Sequence, residues 1–527
     1  MVPQLPIGSG RRGSPVRLRA PVLGWLTAGC LSLLSVPWAT AGSQSVEMAR
    51  ELFSAGQYFK AARMAFSETA SPQSPEGAEA HAWVTVSLLK ARMPHAASYF
   101  FIRTLQSGQK PAIRLVLKET EELVLRVGAD LLRPYLIRHT SYEDYTPVQR
   151  AAYLFSLSKE ALLLGDYSRA AGYVNAISPE SALYPFGIQV RATAQAVSGK
   201  SEAALADFRL CARQADDLTL DGEDLQARCQ AGVARTLYQM ERFDEADRAY
   251  DRIPKESWVW PEILFEQAWN SFARAEYNRT LGKLVTYKSP ALAFVENSEI
   301  DVLRAQTFLA LCLYRDANQV INDFYARYAP GGEEVKRLLE SKANQPLAFW
   351  DFGKVALGAP LDTPNGAFRM ANRFVRGPYF QGLVRGERDV ASERAAAQRF
   401  AQLSGGLTLP GERSGGFPVF LGQVLGWREN AIRQQGGVFV LNSLLDHHSV
   451  LIADVEKMAF IKLEMLRRAK DKLIGKNEVG VERGRGNRKP KRRDDQYFWT
   501  FNGEFWNDEL GDYVFALESE CGVDAQK

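Results

Sequence analysis

The stretch GDYSRA at residues 165–170 decides the fold, because its pattern returns along the chain. In it a turn of Gly and Asp leads into Tyr167, and the small residue Ala170 follows three positions later. Counted from this aromatic position, Tyr167 to Ser201 is 34 residues, and Phe243 to Tyr277 is again 34 residues. A fixed period of this length predicts helical hairpins that stack, since one hairpin cannot bury its apolar face alone.

The same pattern marks further hairpins on both sides of this stretch. The small residue lets two helices approach closely, and the aromatic residue fills the gap between one hairpin and the next. The predicted signature residues are Gly56, Tyr58, Ala61, Gly165, Tyr167, Ala170, Gly199, Ala204, Phe243, Ala246 and Tyr277. The 42-residue interval from Ser201 to Phe243 predicts an insertion, in the acidic loop 216–224. The last unit is expected to close at the Pro-Gly-Gly of residues 330–332.

With these residues and this period, the chain resembles the tetratricopeptide repeat (TPR) superfamily. The resemblance covers somewhat over half of the chain and implies a right-handed superhelix of about eight hairpins over residues 46–340. It also implies a surface that binds extended peptides or helices of partner proteins, and no catalytic residues. The predicted fold class is therefore all-α, a hairpin solenoid followed by a helical C-terminal region with a long helix pair and an aromatic tail.

The first 41 residues have the order of a bacterial secretory signal peptide. Four arginines precede an uncharged apolar stretch at 22–36, and a small-x-small cleavage site precedes Gly42. A rival interpretation is a lipoprotein cleavage box that ends at Cys30, which would leave that cysteine lipidated. The first interpretation predicts a protein of the periplasm that is soluble after cleavage, and the second an anchored one.

Charge and hydropathy exclude some functions of the mature chain. The whole chain has a net charge of +4, and the four arginines of the signal peptide account for all of it. A nearly neutral protein lacks the basic footprint that nucleic-acid binding needs. After the signal peptide no segment is expected to cross a bilayer.

Four cysteines remain after cleavage of the signal peptide, too few for a disulfide-built scaffold. Cys211 and Cys229 are expected on neighbouring antiparallel helices at about the same height. An oxidising compartment would permit a disulfide between them. The alternative is that each is a small buried hydrophobic residue in a helix seam.

After residue 340 the repeat pattern stops. Residues 341–418 are rich in Gly, Pro and Arg and are expected to form a connector with short helices, one of them at 389–403. Residues 419–475 are expected to form a long helical hairpin that turns at Gly436-Gly437, with a coiled coil between chains as the alternative. The heptad-like seam on its second helix consists of Leu441, Leu445, His448, Ile452, Val455 and Ala459.

No catalytic, cofactor or metal site is predicted. His447 and His448 are adjacent, and neighbouring residues of a helix point about 100° apart, which disfavours joint binding of one metal ion. No Ser/His/Asp or Cys/His grouping is evident in the sequence. The chain is therefore predicted not to be an enzyme.

The C-terminal end is polarised in charge. Residues 476–493 contain eight Lys or Arg and two Glu, which predicts a flexible linker, either solvated or in contact with an anionic membrane surface. Residues 494–527 are acidic and aromatic, with too much apolar area to stay in water. They dock either on the chain itself or on a partner. The candidate partner-binding residues are Tyr497, Phe498, Trp499, Phe501, Phe505 and Trp506.

Together these features predict a non-catalytic secreted scaffold that binds other envelope proteins and organises a complex. The layout is loosely similar to that of periplasmic TPR proteins of gliding-motility and related outer-membrane complexes. The alternative is a cell-wall-glycan-associated enzyme, for which Glu504, Asp508 and Glu509 would supply carboxylates. A third interpretation is a lipid- or peptidoglycan-binding adaptor with the repeats as a docking arm.

Overall fold

The structure is a computed structural model of the chain, and it describes residues 41–215, 218–220, 223–342, 344–403, 416–475 and 510–521. In these ranges the chain is all-α apart from one ladder of two very short strands, so the predicted all-α class is confirmed. The predicted signal peptide lies outside the described residues except for Ala41.

Seventeen helices build the solenoid. In chain order they are α1 (Ala41–Ser54), α2 (Tyr58–Phe66), α3 (Pro75–Lys90), α4 (Pro94–Gln106), α5 (Lys110–Leu117), α6 (Thr120–Val127), α7 (Ala129–His139), α8 (Arg150–Leu163), α9 (Tyr167–Asn175), α10 (Tyr184–Val197), α11 (Ser201–Gln214), α12 (Leu225–Gln239), α13 (Phe243–Tyr250), α14 (Trp260–Ala273), α15 (Tyr277–Val285), α16 (Glu299–Ala310) and α17 (Tyr314–Ser341). The strands β1 (Thr219–Leu220) and β2 (Glu223–Asp224) lie in the predicted insertion, between α11 and α12.

Within the described residues, seven hairpins share one type of turn, in which three residues join two helices. The middle residue of each turn has a positive φ, between 56° and 78°. The amide of the third turn residue donates to a carbonyl five residues earlier, as Asp166 does to Ala161 at 2.8 Å. These are the features of a Schellman helix end. The seven middle residues are Gly56, Arg92, Gly165, Gly199, Glu241, Ala275 and Cys312.

The other signature positions also have a structural role. The small residue is fully buried in every one of these hairpins: Ala61, Ala97, Ala170, Ala204, Ala246, Thr280 and Ala317. In three of these hairpins the aromatic residue packs on a ring five residues earlier, with ring centroids 5.2–5.5 Å apart: Phe53 and Tyr58, Tyr238 and Phe243, and Phe272 and Tyr277. The signature residues therefore build the hairpins.

The solenoid differs from the expected one at two places. At the first, three short helices, α5 to α7, separate the hairpin of Arg92 from that of Gly165. Helix α17 does not end at residues 330–332 but continues through them to Ser341. The reason is packing: a Cβ on Gly366 would lie 2.3 Å from the Cα of Gly331, so these glycines let two helices touch.

The predicted connector contains longer helices than expected. They are α18 (Pro346–Gly358), α19 (Gly366–Val375) and α20 (Pro378–Leu403), so the helix expected at 389–403 begins eleven residues earlier. Phe349, Trp350 and Phe380 are at most 1 % exposed and form the core of this region. Its glycines include contact points between these helices, since a Cβ on Gly353 would lie 2.8 Å from the ring of Phe380.

The prediction of a helical hairpin at 419–475 is wrong. These residues belong to one helix, α21 (Gly416–Gly475), of 60 residues and therefore about 90 Å in length. A Cβ on Gly436 would lie 2.3 Å from the ring of Trp350, and one on Gly437 would lie 1.8 Å from the carbonyl oxygen of Pro346. The two glycines allow α18 to pack closely on α21 and do not form a turn.

Helix α21 spans the solenoid from the second hairpin to the last. It contacts α4 near its beginning, α18, α19 and α20 along its length, and α16 and α17 further on. Since α20 also contacts α4, the C-terminal region joins the two ends of the hairpin array.

Two glycines of the α8–α9 hairpin differ in backbone conformation but not in the space around them. A Cβ would meet nothing within 4 Å at either Gly165 or Gly172, but only Gly165 has a positive φ. Gly165→Ala is expected to lower the free energy of unfolding by about 1 kcal/mol, because L-residues are strained in this conformation. Gly172→Ala, inside α9, is expected to raise it by about 0.5–1 kcal/mol. Urea unfolding measures the free energy of unfolding of both variants. Equal effects of the two substitutions would contradict the claim that the positive φ of the turn requires glycine at position 165.

Candidate functional site

Glu393 of α20 is buried and caps the beginning of α4. Its Oε1 accepts a hydrogen bond from the amide of His95 and its Oε2 accepts one from the amide of Ala96, both at 2.9 Å. These amides belong to the first turn of α4, where backbone donors have no partner inside the helix. A carboxylate here also faces the positive end of the helix dipole.

Arg428 of α21 binds a helix end of the opposite polarity. A terminal guanidinium nitrogen donates to the carbonyl of Val127, the last residue of α6, at 3.1 Å. Its Nε donates to Nδ1 of His95 at 3.4 Å. Two neighbouring charged side chains thus hold α20 and α21 to helices of the N-terminal third. We call Glu393, Arg428 and His95 the anchor cluster.

Burial sets the protonation of the anchor cluster. It raises the pKa of Glu393 to about 7, although two amides donate to the carboxylate. It lowers the pKa of His95 to about 3, and the charge of Arg428 acts in the same direction. Burial also lowers the pKa of Arg428 to about 10. At neutral pH His95 is therefore uncharged, and its Nδ1 can accept the hydrogen bond from Arg428.

An aromatic cluster surrounds the beginning of α21. The ring of Phe66 lies 4.9 Å from the rings of both Phe417 and Phe420, and Phe59 stacks on Phe400 of α20 at 4.0 Å. Large rings bury much apolar area per residue, so this cluster supplies the apolar part of the contact between α20, α21 and the first hairpins.

The second attachment of α21 is at the last hairpin. Asp454, with no exposed surface, accepts a hydrogen bond from the hydroxyl of Ser298 at 2.6 Å, and Ser298 directly precedes α16. Lys457 pairs with Asp454 at 2.9 Å and with Glu299 at 3.4 Å. Burial and the charge of Asp454 raise the pKa of Glu299. An acidic side chain again lies at the start of a solenoid helix.

Between these two attachments, α21, α19 and the solenoid line an open cavity of about 510 Å³. Trp258, Phe374 and Phe439 supply aromatic walls. His447 also lines it and, through Nδ1, donates to the carbonyl of Ser443 at 2.8 Å. Among the residues that the structure describes, no group of three or more His, Cys, Asp or Glu is placed to hold a metal ion.

The structure joins four cysteines in two disulfides. Cys211 and Cys229 link α11 to α12 across the insertion, with Cα atoms 5.9 Å apart. Cys312, the middle residue of the last hairpin turn, is joined to Cys521, with Cα atoms 5.1 Å apart. The second bond was not expected from the sequence. The number of cysteines could have indicated it, because pairing Cys211 with Cys229 leaves Cys312 and Cys521 as the remaining two of the mature chain.

The C-terminal segment 510–521 packs along the last two hairpins. The amide of Leu517 donates to Oδ1 of Asn278 at 2.8 Å, and the side-chain amide of Asn278 donates back to the carbonyl of Leu517 at 3.0 Å. A Cβ on Gly282 would lie 1.8 Å from the carbonyl oxygen of Tyr513, so the segment lies directly on α15. This part of the tail therefore docks on the chain itself.

Several predicted residues cannot be placed. The candidate partner-binding residues Tyr497, Phe498, Trp499, Phe501, Phe505 and Trp506 lie outside the described residues, as does the basic stretch 476–493. The heptad-like seam of α21 is described, and it is only partly covered: Leu445 is 44 % exposed and Ile452 is 51 % exposed.

By length and composition alone, one helix among the described residues could cross a membrane. It is α21, with a window of mean hydropathy 1.3, contrary to the expectation from the sequence. One face of this helix is bound to the solenoid through Arg428, Asp454 and Met458. A core helix of a folded protein passes the same test, so this finding alone does not establish a membrane span.

Comparisons with known proteins do not establish a family. No family model matches the chain, and no curated protein matches it. Among solved structures, the chain is similar to the TPR domain of P58(IPK), with 12 % identity over 67 % of this chain and 99 % of that one. The TM-score is 0.18, so the assignment to a TPR-like fold rests on the hairpin geometry described above.

The buried carboxyl of Glu393 predicts a pH dependence of stability. Its pKa is about 7 in the folded chain and 4.5 without the fold, so the folded state binds the proton more tightly. The free energy of unfolding of the wild type, relative to that of Glu393→Gln, is therefore expected to fall between pH 4.5 and 7, by up to about 3 kcal/mol. His95 titrates in both proteins and cancels from this difference.

Urea unfolding of both proteins across this pH range measures the difference. A difference that does not change with pH would show that this carboxyl is not buried in the folded protein.

Proposed function

We propose that this chain is a non-catalytic scaffold, exported across the inner membrane of a bacterial cell, that binds partner proteins in the envelope. The TPR-like hairpin array supports the coarser part of this proposal, a protein-interaction scaffold. The disulfides Cys211–Cys229 and Cys312–Cys521 support an oxidising compartment, where such bonds persist. In its most specific form, the proposal places the chain in an assembly related to gliding motility or to the outer membrane.

The observation that carries the proposal is a ridge of exposed apolar side chains along the hairpin turns. Leu163 and Leu164 at the end of α8 are 68 % and 76 % exposed, and Val197 at the end of the neighbouring α10 is 48 % exposed. We call these three residues the turn ridge. Clustered exposed apolar residues of this kind mark surfaces that bind other proteins.

The alternative functions stay open to test. A cell-wall-glycan-associated enzyme would need paired carboxylates, and the candidates Glu504, Asp508 and Glu509 lie outside the described residues. A lipid- or peptidoglycan-binding adaptor would use the basic stretch 476–493 against an anionic surface, and this contact remains a prediction from the sequence.

Replacing the turn ridge tests protein binding directly. The double substitution Leu164→Asp and Val197→Asp is expected to lower the recovery of partner proteins about tenfold or more, since it places charge in an apolar contact. Crosslinking pull-down from the native envelope, with quantitative mass spectrometry, measures the recovery.

Val148→Asp is the matched control for this experiment. Val148 is 81 % exposed but lies just before α8, at the end opposite to the turn ridge. Val148→Asp is expected to recover the same proteins as the wild type. If the double variant also recovers them, the turn ridge is not the binding surface. If no protein is enriched by the wild type, the scaffold proposal fails.

Export makes a separate prediction. Protein purified from fractionated cells is expected to begin at Gly42, as intact-mass measurement would show. A chain that begins at a lipidated Cys30 would instead support the anchored form. Recovery in the cytoplasm with residues 1–41 retained would contradict export.

A further inference from the structure

The last third of α21 has an apolar face that the solenoid does not cover. Phe460 is 70 % exposed, Leu463 is 64 % exposed and Leu466 is 53 % exposed. On the opposite side of the helix, Met458 and Met465 are 0 % and 4 % exposed. The helix is therefore held by one side and presents large apolar side chains on the other. We call Phe460, Leu463 and Leu466 the outer face of α21.

The outer face has the geometry of an amphipathic helix. Because successive residues of a helix are rotated by about 100°, Phe460, Leu463 and Leu466 lie within an arc of about 120°. Arg467 and Lys470 fall within the same arc, about one turn or less further along the helix, so apolar and basic side chains share this side. A helix that lies in a bilayer interface presents large apolar side chains together with long basic ones to the lipid.

The charge along the outer face is positive over residues 457–470, between the acidic residues Glu456 and Asp471. Residues 457–470 contain five basic side chains and one acidic one, Glu464. Glu464 is already paired with Arg467 at 2.8 Å and with Arg468 at 2.6 Å. The basic residues are Lys457, Lys462, Arg467, Arg468 and Lys470. This charge complements the phosphate groups of anionic lipids.

A second helix fits this surface less well than a bilayer. A coiled-coil seam needs apolar residues at both alternating positions of the heptad. One position is apolar throughout, at Leu445, Ile452, Ala459 and Leu466. The other alternates between apolar and polar residues, which are Leu441, His448, Val455 and Lys462. A lipid surface needs no such seam, because it requires only apolar side chains together with basic ones.

We propose that the outer face of α21 docks on an anionic phospholipid bilayer. Phe460, Leu463 and Leu466 enter the boundary between headgroups and acyl chains, and the basic residues of 457–470 contact lipid phosphates. The helix lies on the bilayer and does not cross it, because Asp454 and Met458 hold its other side against the solenoid. The inference goes beyond the proposed scaffold function and needs no protein partner.

Vesicle co-sedimentation of the full mature chain tests the inference. The probes are vesicles of phosphatidylethanolamine with phosphatidylglycerol, and vesicles of phosphatidylcholine alone. The wild type is expected to bind the anionic vesicles, to release them partly at high salt, and to bind the neutral vesicles far less. Phe460→Gln with Leu463→Gln is expected to weaken binding to the anionic vesicles about tenfold or more.

The control is Val419→Gln with Val438→Gln, two exposed apolar residues of the same helix outside the basic segment. This control is expected to bind like the wild type. Both double variants keep every Lys and Arg of the chain, including those of 476–493. If the Phe460/Leu463 variant binds as well as the control, charge elsewhere carries the binding and the proposal is overturned. Absence of wild-type binding to anionic vesicles would overturn it equally.

Discussion

The contact between Glu393 and the first turn of α4 is the interaction on which the architecture depends. A hairpin array has contacts only between neighbours, so nothing within the array fixes the distance between its ends. Glu393 and Arg428 supply that constraint, because they bring α20 and α21 back to the N-terminal third. Removing either side chain would leave buried helix-end groups without their partner, the amides of His95 and Ala96 in one case and the carbonyl of Val127 in the other.

The same constraint explains how the molecule presents its surfaces. With α21 fixed at α4 and again at Ser298, a helix of 60 residues becomes a rigid element of the solenoid. Its inner side is occupied by these contacts, which leaves the outer face of α21 for other binding. The turn ridge lies on the hairpins of α8 and α10, away from the attachments of α21 at Val127 and Ser298. A protein-binding surface and a lipid-binding surface can thus belong to one rigid body.

The sequence predicted the hairpins well because their determinants are local. The turn, the small residue and the ring lie within a few positions of each other, so their spacing alone identifies the unit. Glycines that pack against segments distant in sequence were predicted incorrectly. Gly331, Gly436 and Gly437 were assigned to turns, but each provides space for a distant segment, and only the folded chain shows which one. The anchor cluster was missed for the same reason, since 298 residues separate Glu393 from His95.

Native-state amide hydrogen exchange at His95 and Ala96 tests the central claim most directly. Amides in the first turn of a helix are ordinarily open to solvent and exchange within seconds. If Glu393 accepts both of them in a buried cluster, they are expected to exchange as slowly as the amides of the central part of α4, and to become fast in Glu393→Ala. Rapid exchange at both positions in the wild type, with the rest of α4 protected, would contradict the attachment of α20 and α21 to the beginning of the solenoid.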